Sequence, residues 1–279
     1  MRIVVTGSSG RIGQEIVRQL QPTHQVTGLD IRPGPTTHVC GNLTDQALVT
    51  RLLTGTEAVI HTAALHAPHI DKYSKSDFVE VNVRGTLHLL EAAVTQGVQR
   101  LVLTSSTSVY GHALETPGAA TWVTEELTPR PRDIYDITKL AAEELCRHFA
   151  ATTHLQTRVL RTSRFWEEPW PDRAVYRLYR GLDVRDAARA HVLAVENGQL
   201  AFGLYNISAR PDFVAPEAAE LYTNAAAVVA RHYPQAAAVF ARRSWPLPSC
   251  IDRVYCIDKA QAELHYQPEY NFAELLATL

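Results

Sequence analysis

The opening of the chain leaves it little choice of fold. Arg2-Ile3-Val4-Val5 is a short, apolar, β-branched run, the pattern of a buried parallel strand. It runs into Thr6-Gly7-Ser8-Ser9-Gly10-Arg11-Ile12-Gly13, after which Gln14 to Leu20 continue at helical period. Glycines at this spacing suit a tight turn, a close backbone approach to a pyrophosphate and close helix–strand packing. The helix start then offers unpaired N–H groups and a positive dipole end to the phosphates. Strand, turn and helix in this order predict a dinucleotide site with contacts from Gly7, Ser9, Gly10, Arg11, Ile12 and Gly13.

The next strand, Gln25 to Leu29, ends at Asp30. An acidic residue roughly 20 positions beyond the glycines is placed to bond the adenosine ribose hydroxyls. Its carboxylate would repel a 2′-phosphate, so NAD is favoured over NADP. Arg11 and Arg32 pull the other way, since a guanidinium neutralises a phosphate.

Apolar and helical segments alternate from there on. Glu57 to Thr62, Arg100 to Ser105 and Gln156 to Arg161 read as strands; Ser74 to Gln96 and Ile134 to Ala151 read as helices. This alternation predicts an α/β fold, a doubly wound parallel sheet with right-handed crossovers. Ligands gather beyond the C-terminal strand ends of such a sheet, where Gly7, Asp30, Ala63, Ser106 and Ser163 fall.

Tyr135-Asp136-Ile137-Thr138-Lys139 carries the chemistry. At i and i+4 of a helix the phenol and the ammonium share a face. A free phenol, with a pKa of roughly 10, is a poor base at neutral pH, and a neighbouring cation is expected to pull that value down. A Tyr-Lys pair behind a dinucleotide turn points to hydride transfer at a carbinol or carbonyl carbon.

The chain has 279 residues, 46% hydrophobic and 20% charged, with a formal net charge of −2. That charge gives no footprint for nucleic acid or an anionic membrane. Cys40, Cys146, Cys250 and Cys256 show neither C-x-x-C spacing nor a framework pattern, so reduced thiols are expected. No apolar run approaches the roughly 20 residues that span a bilayer, and no leader is legible at the start. A cytoplasmic location is expected. His61, His66 and His69 cluster past a strand end, but no Cys or carboxylate completes a ligand set. No metal is expected, and His66 or His69 is read as lining the substrate.

Taken together, these segments resemble the extended short-chain dehydrogenase/reductases, the NAD-dependent epimerase/dehydratase family. The likeness runs through T-G-x-x-G-x-x-G at 6–13, His61-Thr62-Ala63-Ala64, Val81-Asn82-Val83-Arg84-Gly85-Thr86 and Ser105-Ser106-Thr107-Ser108-Val109-Tyr110-Gly111. It continues through Tyr135/Lys139, Asp183 to His191, and Asp258 to Pro268. The resemblance implies a Rossmann-type doubly wound parallel sheet with a small, discontinuous C-terminal substrate lobe. The core would be 1–165 and 182–210, the lobe 166–181 and 211–279. It implies a catalytic set of Ser106, Tyr135 and Lys139, in which Ser106 bonds the reacting oxygen. Tyr135 exchanges its proton, and Lys139 binds the nicotinamide ribose. It further implies that Asn42, Leu43, Thr62, Ala63, Ala64, Asn82 and Thr104 line the cofactor; it leaves the oligomeric state open, a homodimer through a helix pair being common in the family.

Departures from the family pattern shape the substrate reading. Sugar-nucleotide 4,6-dehydratases resemble S-T-D-E-V-Y-G at the strand end, whereas this chain has Thr107 and Ser108. Neither is a suitable acid or base for losing water, which disfavours dehydration. Ser163-Arg164-Phe165 stands where 4-epimerases usually carry an Asn, and Asn42 stands where an Asp is common against adenine. Arg173, Arg177 and Arg180 are spaced for one helical face, an array that suits a diphosphate or carboxylate. A solvated basic face is the competing reading. Arg242, Arg243 and Trp245 form a second, weaker set. The segment Gly111 to Asp133 reads as a long loop covering the substrate.

The substrate contacts are thus expected from His66, Ser106, Thr107, Ser163, Arg173 and Arg177. The reaction expected is NAD-dependent epimerisation of a sugar or sugar nucleotide through a transient ketone. The alternative is an NAD(P)-dependent sugar dehydrogenase or carbonyl reductase with net redox. A dinucleotide-sensing regulator without turnover ranks lowest, because the Tyr-Lys pair is intact.

Overall fold

The structure, a computed structural model, describes residues 1–279. Its strands are β1 (Arg2–Thr6), β2 (Gln25–Asp30), β3 (Val39–Cys40), β4 (Ala58–His61), β5 (Arg100–Ser106), β6 (Thr121–Val123), β7 (Gln156–Thr162), β8 (Phe202–Ile207) and β9 (Arg253–Tyr255). Seven of them form one sheet in the order β3-β2-β1-β4-β5-β7-β8, and β6 pairs with β9 in a second, two-stranded sheet. β1 lies between β2 and β4, with Ile3 opposite Val26 on one side and Ala58 on the other. The pairings around β1 are parallel. Thr157 N–H bonds to Ala201 O and Ser163 N–H to Ile207 O, so β7 and β8 run the same way too. The order 3-2-1-4-5, extended at one edge, is that of a doubly wound dinucleotide fold.

The first helices are α1 (Arg11–Leu20) and α2 (Gln46–Leu52). Ile12, Gly13, Ile16, Val17 and Leu20 are the buried face of α1, the three-and-four spacing of an amphipathic helix. The helix expected over 74–96 forms in three contiguous pieces: α3 (Lys75–Phe78), a wider π-helical turn over Val79–Arg84, and α4 (Gly85–Thr95). Such widened turns concentrate at functional sites, and this one carries the buried Asn82. Helix α5 (Ile134–Thr152) begins where the Asp133 carboxylate accepts from Asp136 N–H at 3.0 Å, an N-cap that meets one orphan donor.

Two compact units divide the chain. The first comprises Met1–Val109, Pro131–Arg161 and Ala188–Tyr205; the second comprises Tyr110–Arg130, Thr162–Ala187 and Asn206–Leu279. The remaining helices are α6 (Trp170–Arg177), α7 (Val184–Glu196), α8 (Ala218–His232), α9 (Ala236–Arg242), α10 (Asp258–Leu264) and α11 (Phe272–Ala277). No helix is long and apolar enough to cross a membrane. The second unit has its own apolar core of Leu178, Leu221, Val228, Phe240, Ile251 and Phe272 among others.

Gly111 to Asp133 is not the structureless loop expected. Thr121-Trp122-Val123 are β-branched or aromatic and pair with Arg253-Val254-Tyr255. Leu114 and Val123 pack with Tyr110 and Tyr255. The Tyr110 hydroxyl donates to Asn206 Oδ1 at 2.7 Å, while Asn206 Nδ2 donates to Val123 O at 3.1 Å.

A buried ion pair ties the first unit together. Glu143 on α5 and Arg161 on β7 have side chains 2% and 5% exposed. Arg161 donates from Nε at 3.0 Å and from Nη2 at 2.6 Å, and the Ser105 hydroxyl donates to the same carboxylate. Removing one member of such a pair leaves an uncompensated charge, at a cost of about 3–5 kcal/mol, whereas replacing both is often neutral. Arg161→Met is therefore expected to lose about that much stability in urea unfolding, and Arg161→Met with Glu143→Gln to recover most of it. Tyr110→Phe, which strips the donor from a buried amide oxygen, is expected to cost about 1–3 kcal/mol by the same measurement.

Candidate active site

The glycine turn is built for close approach. Gly7 has φ +71, the left-handed region that glycine enters freely. Its N–H bonds to Leu29 O at 2.8 Å. A Cβ on Gly13 would lie 2.1 Å from Gly7 O, so only glycine lets α1 seat directly on the turn. A Cβ on Gly7 would meet Thr62 Oγ1 at 2.6 Å and Ala63 N at 2.7 Å, so the ends of β1 and β4 touch here. Bare backbone at the N-terminus of a ten-residue helix fits a pyrophosphate. Asp30, 8% exposed, accepts from Ser9 N–H at 3.0 Å and Arg32 N–H at 2.9 Å. A carboxylate has about four acceptor sites, which leaves capacity for ribose hydroxyls.

The other expected cofactor residues behave unequally. Thr62 and Ala63 line the turn as described. Ala64 is half-buried, and its backbone bonds the His66 ring. Arg11 and Ile12 open α1, the first exposed and the second buried. Asn42 is exposed and closes a local turn, its Oδ1 accepting from Thr44 N–H at 3.1 Å. The Leu43 side chain belongs to the apolar core, 5% exposed. The Thr104 hydroxyl is turned to His191 Nε2 at 2.7 Å. Asn82, 2% exposed, bonds Leu65 N–H and Leu65 O, each at 2.8 Å, and Thr138 Oγ1 at 3.0 Å. One amide thus clamps the loop after β4 to α5.

Helix α5 buries Tyr135, Lys139 and Glu143 in one row, 9%, 5% and 1% exposed. Ser106 ends β5. Its Oγ accepts from Ser108 N–H at 3.1 Å, and its hydroxyl is a hydrogen-bond partner of the Tyr135 phenol. Burial pushes that phenol up to about 12, with Ser106 opposing. The expectation that Lys139 lowers it is corrected here: desolvation dominates, and Asp136 and Asp133 add to the rise. Burial likewise brings Lys139 down to about 8, opposed by Glu143 and Cys146. Asp136, fully buried beside Tyr135, accepts from Arg132 N–H at 3.2 Å, and burial raises it.

The three histidines do not form a cluster. His61 is buried between the Thr6 and Thr86 hydroxyls, at 2.7 and 3.0 Å from its two ring nitrogens. Burial, then Lys139, lower it to about 3. His66 and His69 stack at 4.3 Å, and burial, His69 and Lys139 lower His66 to about 4. His66 is thus a neutral ring near Lys139. Thr107 is 6% exposed.

In the second unit the arginine array dissolves into separate partners. The Arg177 side chain is 5% exposed, pairs with Asp183 at 3.4 Å and donates to Tyr270 O. It is turned inward, which corrects its assignment to the substrate. Arg173 lies 4.7 Å over the Trp170 ring, and Arg180, beyond the end of α6, lies 4.1 Å over Tyr176. The Ser163 hydroxyl donates to Ser208 Oγ at 3.0 Å.

Thr138, Asp136, Glu143 and Arg161 escaped the sequence reading. Glu143 had a legible signal, since it continues the four-residue spacing of Tyr135 and Lys139. Arg161, one strand away, had none.

Comparison with known proteins agrees with this geometry. A 3-beta-hydroxysteroid dehydrogenase of Mycolicibacterium neoaurum is 32% identical over 177 residues, 59% of this chain and 48% of that protein. The chain spans under half the length of the curated relatives at the head of the matches. MoeE5, solved in complex with UDP-glucose and NAD, is 26% identical with a TM-score of 0.74, covering 100% of this chain and 97% of its own. DesIV, a dTDP-glucose 4,6-dehydratase from Streptomyces venezuelae with NAD and TYD bound, is 25% identical with a TM-score of 0.72, covering 100% and 95%. The model of one family, described as the NAD dependent epimerase/dehydratase family, matches residues 3–166, which hold the glycine turn, Asp30, Asn82, Ser106, Tyr135 and Lys139. The chain belongs to that family.

Proposed function

We propose that this chain is an NAD-dependent oxidoreductase acting on a carbinol or carbonyl carbon of a sugar or sugar nucleotide, with epimerisation as its net reaction. The observation that carries this reading is the burial of Tyr135 and Lys139 in one row of α5, with Ser106 against the phenol. Asn82 clamps α5 to the loop that follows Ala63, and Ala63 lies against the Gly7 turn. Gly7, Gly10, Gly13 and the start of α1 would hold the pyrophosphate, Asp30 the adenosine ribose and Lys139 the nicotinamide ribose. The nicotinamide, when bound, supplies the hydride acceptor and donor.

The protein's own residues do the rest. The Ser106 hydroxyl holds the reacting oxygen. Tyr135, protonated at neutral pH because it is buried, stands ready as an acid. It gives its proton to the carbonyl oxygen as that carbon is reduced, and takes one from the hydroxyl as the carbon is oxidised. The second role needs the phenolate, which burial opposes and the hydrogen bond from Ser106 favours. Burial also keeps water from the reacting oxygen.

The sugar-nucleotide reading is supported by MoeE5, held with UDP-glucose, and by DesIV, a dTDP-glucose 4,6-dehydratase. Thr107 and Ser108 supply no acid or base for eliminating water, which favours epimerisation over dehydration. Net redox is the second reading, favoured by the 32% identical 3-beta-hydroxysteroid dehydrogenase. Four free cysteines fit a reducing cytoplasm.

Cofactor behaviour separates the two readings. An epimerase is expected to purify with tightly held NAD and to convert a sugar nucleotide without net change in reduced-nicotinamide absorbance. Stoichiometric consumption of added NAD would establish the dehydrogenase. Tyr135→Phe is expected to lower turnover by about 10²–10⁴-fold with NAD affinity, read by calorimetry, close to wild type. Turnover within a few-fold of wild type would remove Tyr135 from the chemistry.

A further inference from the structure

The charged row on α5 extends one turn beyond the residues assigned above. Glu143 lies four residues after Lys139 on the same buried face, 1% exposed. Its carboxylate takes both Nε and Nη2 of Arg161 and the hydroxyl of Ser105, so it is held rigidly as an anion. Ser105 directly precedes Ser106, which ties this group to the strand end that presents the serine hydroxyl.

We propose that Glu143 is a positioning residue that keeps Lys139 charged at neutral pH, with Arg161 and Ser105 fixing its carboxylate for that task. The inference rests on the reading of Lys139 as the ribose-binding cation. The groups facing the Lys139 ammonium come from three places. His61 is on β4 and His66 on the loop after it, and both are shifted by the lysine charge. Glu143 and Cys146 lie on α5 itself. His61 and His66 are neutral at pH 7, brought down by burial to about 3 and about 4. Burial pushes the Cys146 thiol far above neutrality. Glu143 is therefore the anion that faces this cation, against a desolvation penalty that already brings the lysine to about 8. Without the carboxylate the ammonium loses its stabilising partner, its titration midpoint falls further, and Lys139 is neutral over more of the working pH range.

The chain has four lysines, Lys72, Lys75, Lys139 and Lys259, so the test needs no substrate. Side-chain carbon-13 NMR of labelled lysine, with the Lys139 signal identified by its loss in Lys139→Arg, reads the titration in the full chain. Glu143→Gln removes the carboxylate from the buried Arg161 guanidinium, so the decisive variant is Glu143→Gln with Arg161→Met, which removes the whole pair. Arg161→Met alone is the control that reads what the guanidinium itself does to the Lys139 midpoint. The expected result is a midpoint about one pH unit or more lower than wild type, a tenfold or greater fall in the ratio of charged to neutral lysine at any given pH. NAD affinity by calorimetry is expected to weaken in parallel at pH 8 and to return toward wild type at pH 6. An unchanged Lys139 midpoint in the folded double variant overturns the proposal, and so does an NAD affinity reduced equally at both pH values. Absence of NAD uptake by the wild-type protein would instead fail the cofactor reading, while the NMR midpoint still decides what Glu143 does to Lys139.

Discussion

Desolvation on one face of α5 is the constraint on which the site depends. Tyr135, Lys139 and Glu143 are shielded from water in a single row, and each charge there must find a partner or be lost. The row is held from both sides. Arg161 and Ser105 fix its far end, and Asn82, bonded to Thr138, joins the helix to the loop after β4. Burial sets the resting states as well: a protonated phenol and a lysine brought down to about 8. A site whose acid is loaded and whose cation is delicately balanced responds strongly to the charge of whatever binds beside it.

The glycine turn works by shape rather than charge. Gly7 and Gly13 leave no room for a side chain between β1, α1 and the end of β4. The same crowding that excludes a Cβ brings the ends of β1 and β4 together. Asp30 completes this corner, fixed by two backbone N–H groups before any ligand arrives. Such a preorganised cradle lowers the ordering cost of binding.

The sheet and the cradle were legible in the sequence because their signals are local. A β-branched run, glycines at fixed offsets and an acidic strand end each constrain a few neighbouring residues, and β1, α1 and Asp30 appear where those signals put them. The π-helical turn at Val79–Arg84 was not legible, since its residues suit an ordinary helix equally well. Arg177 misled because helical spacing says which side chains share a face and nothing about what the face meets. Asp183 and the Tyr270 carbonyl claim its guanidinium. Gly111 to Asp133 misled through composition, its Pro, Thr and Glu content hiding a strand whose partner, β9, lies far along the chain. The spacing of Tyr135 and Lys139 was plain, but the direction of the phenol's shift was not, because burial depends on the whole fold.

The function proposed for this site requires one dinucleotide to span the glycine turn and bring its reactive ring to Tyr135. A crystal structure of the protein grown with NAD tests this most directly. The pyrophosphate is expected against Gly7 to Gly13 and the nicotinamide beside the Tyr135 hydroxyl, with Lys139 on its ribose. A dinucleotide bound elsewhere, or seated on the turn with its nicotinamide directed away from α5, would contradict it.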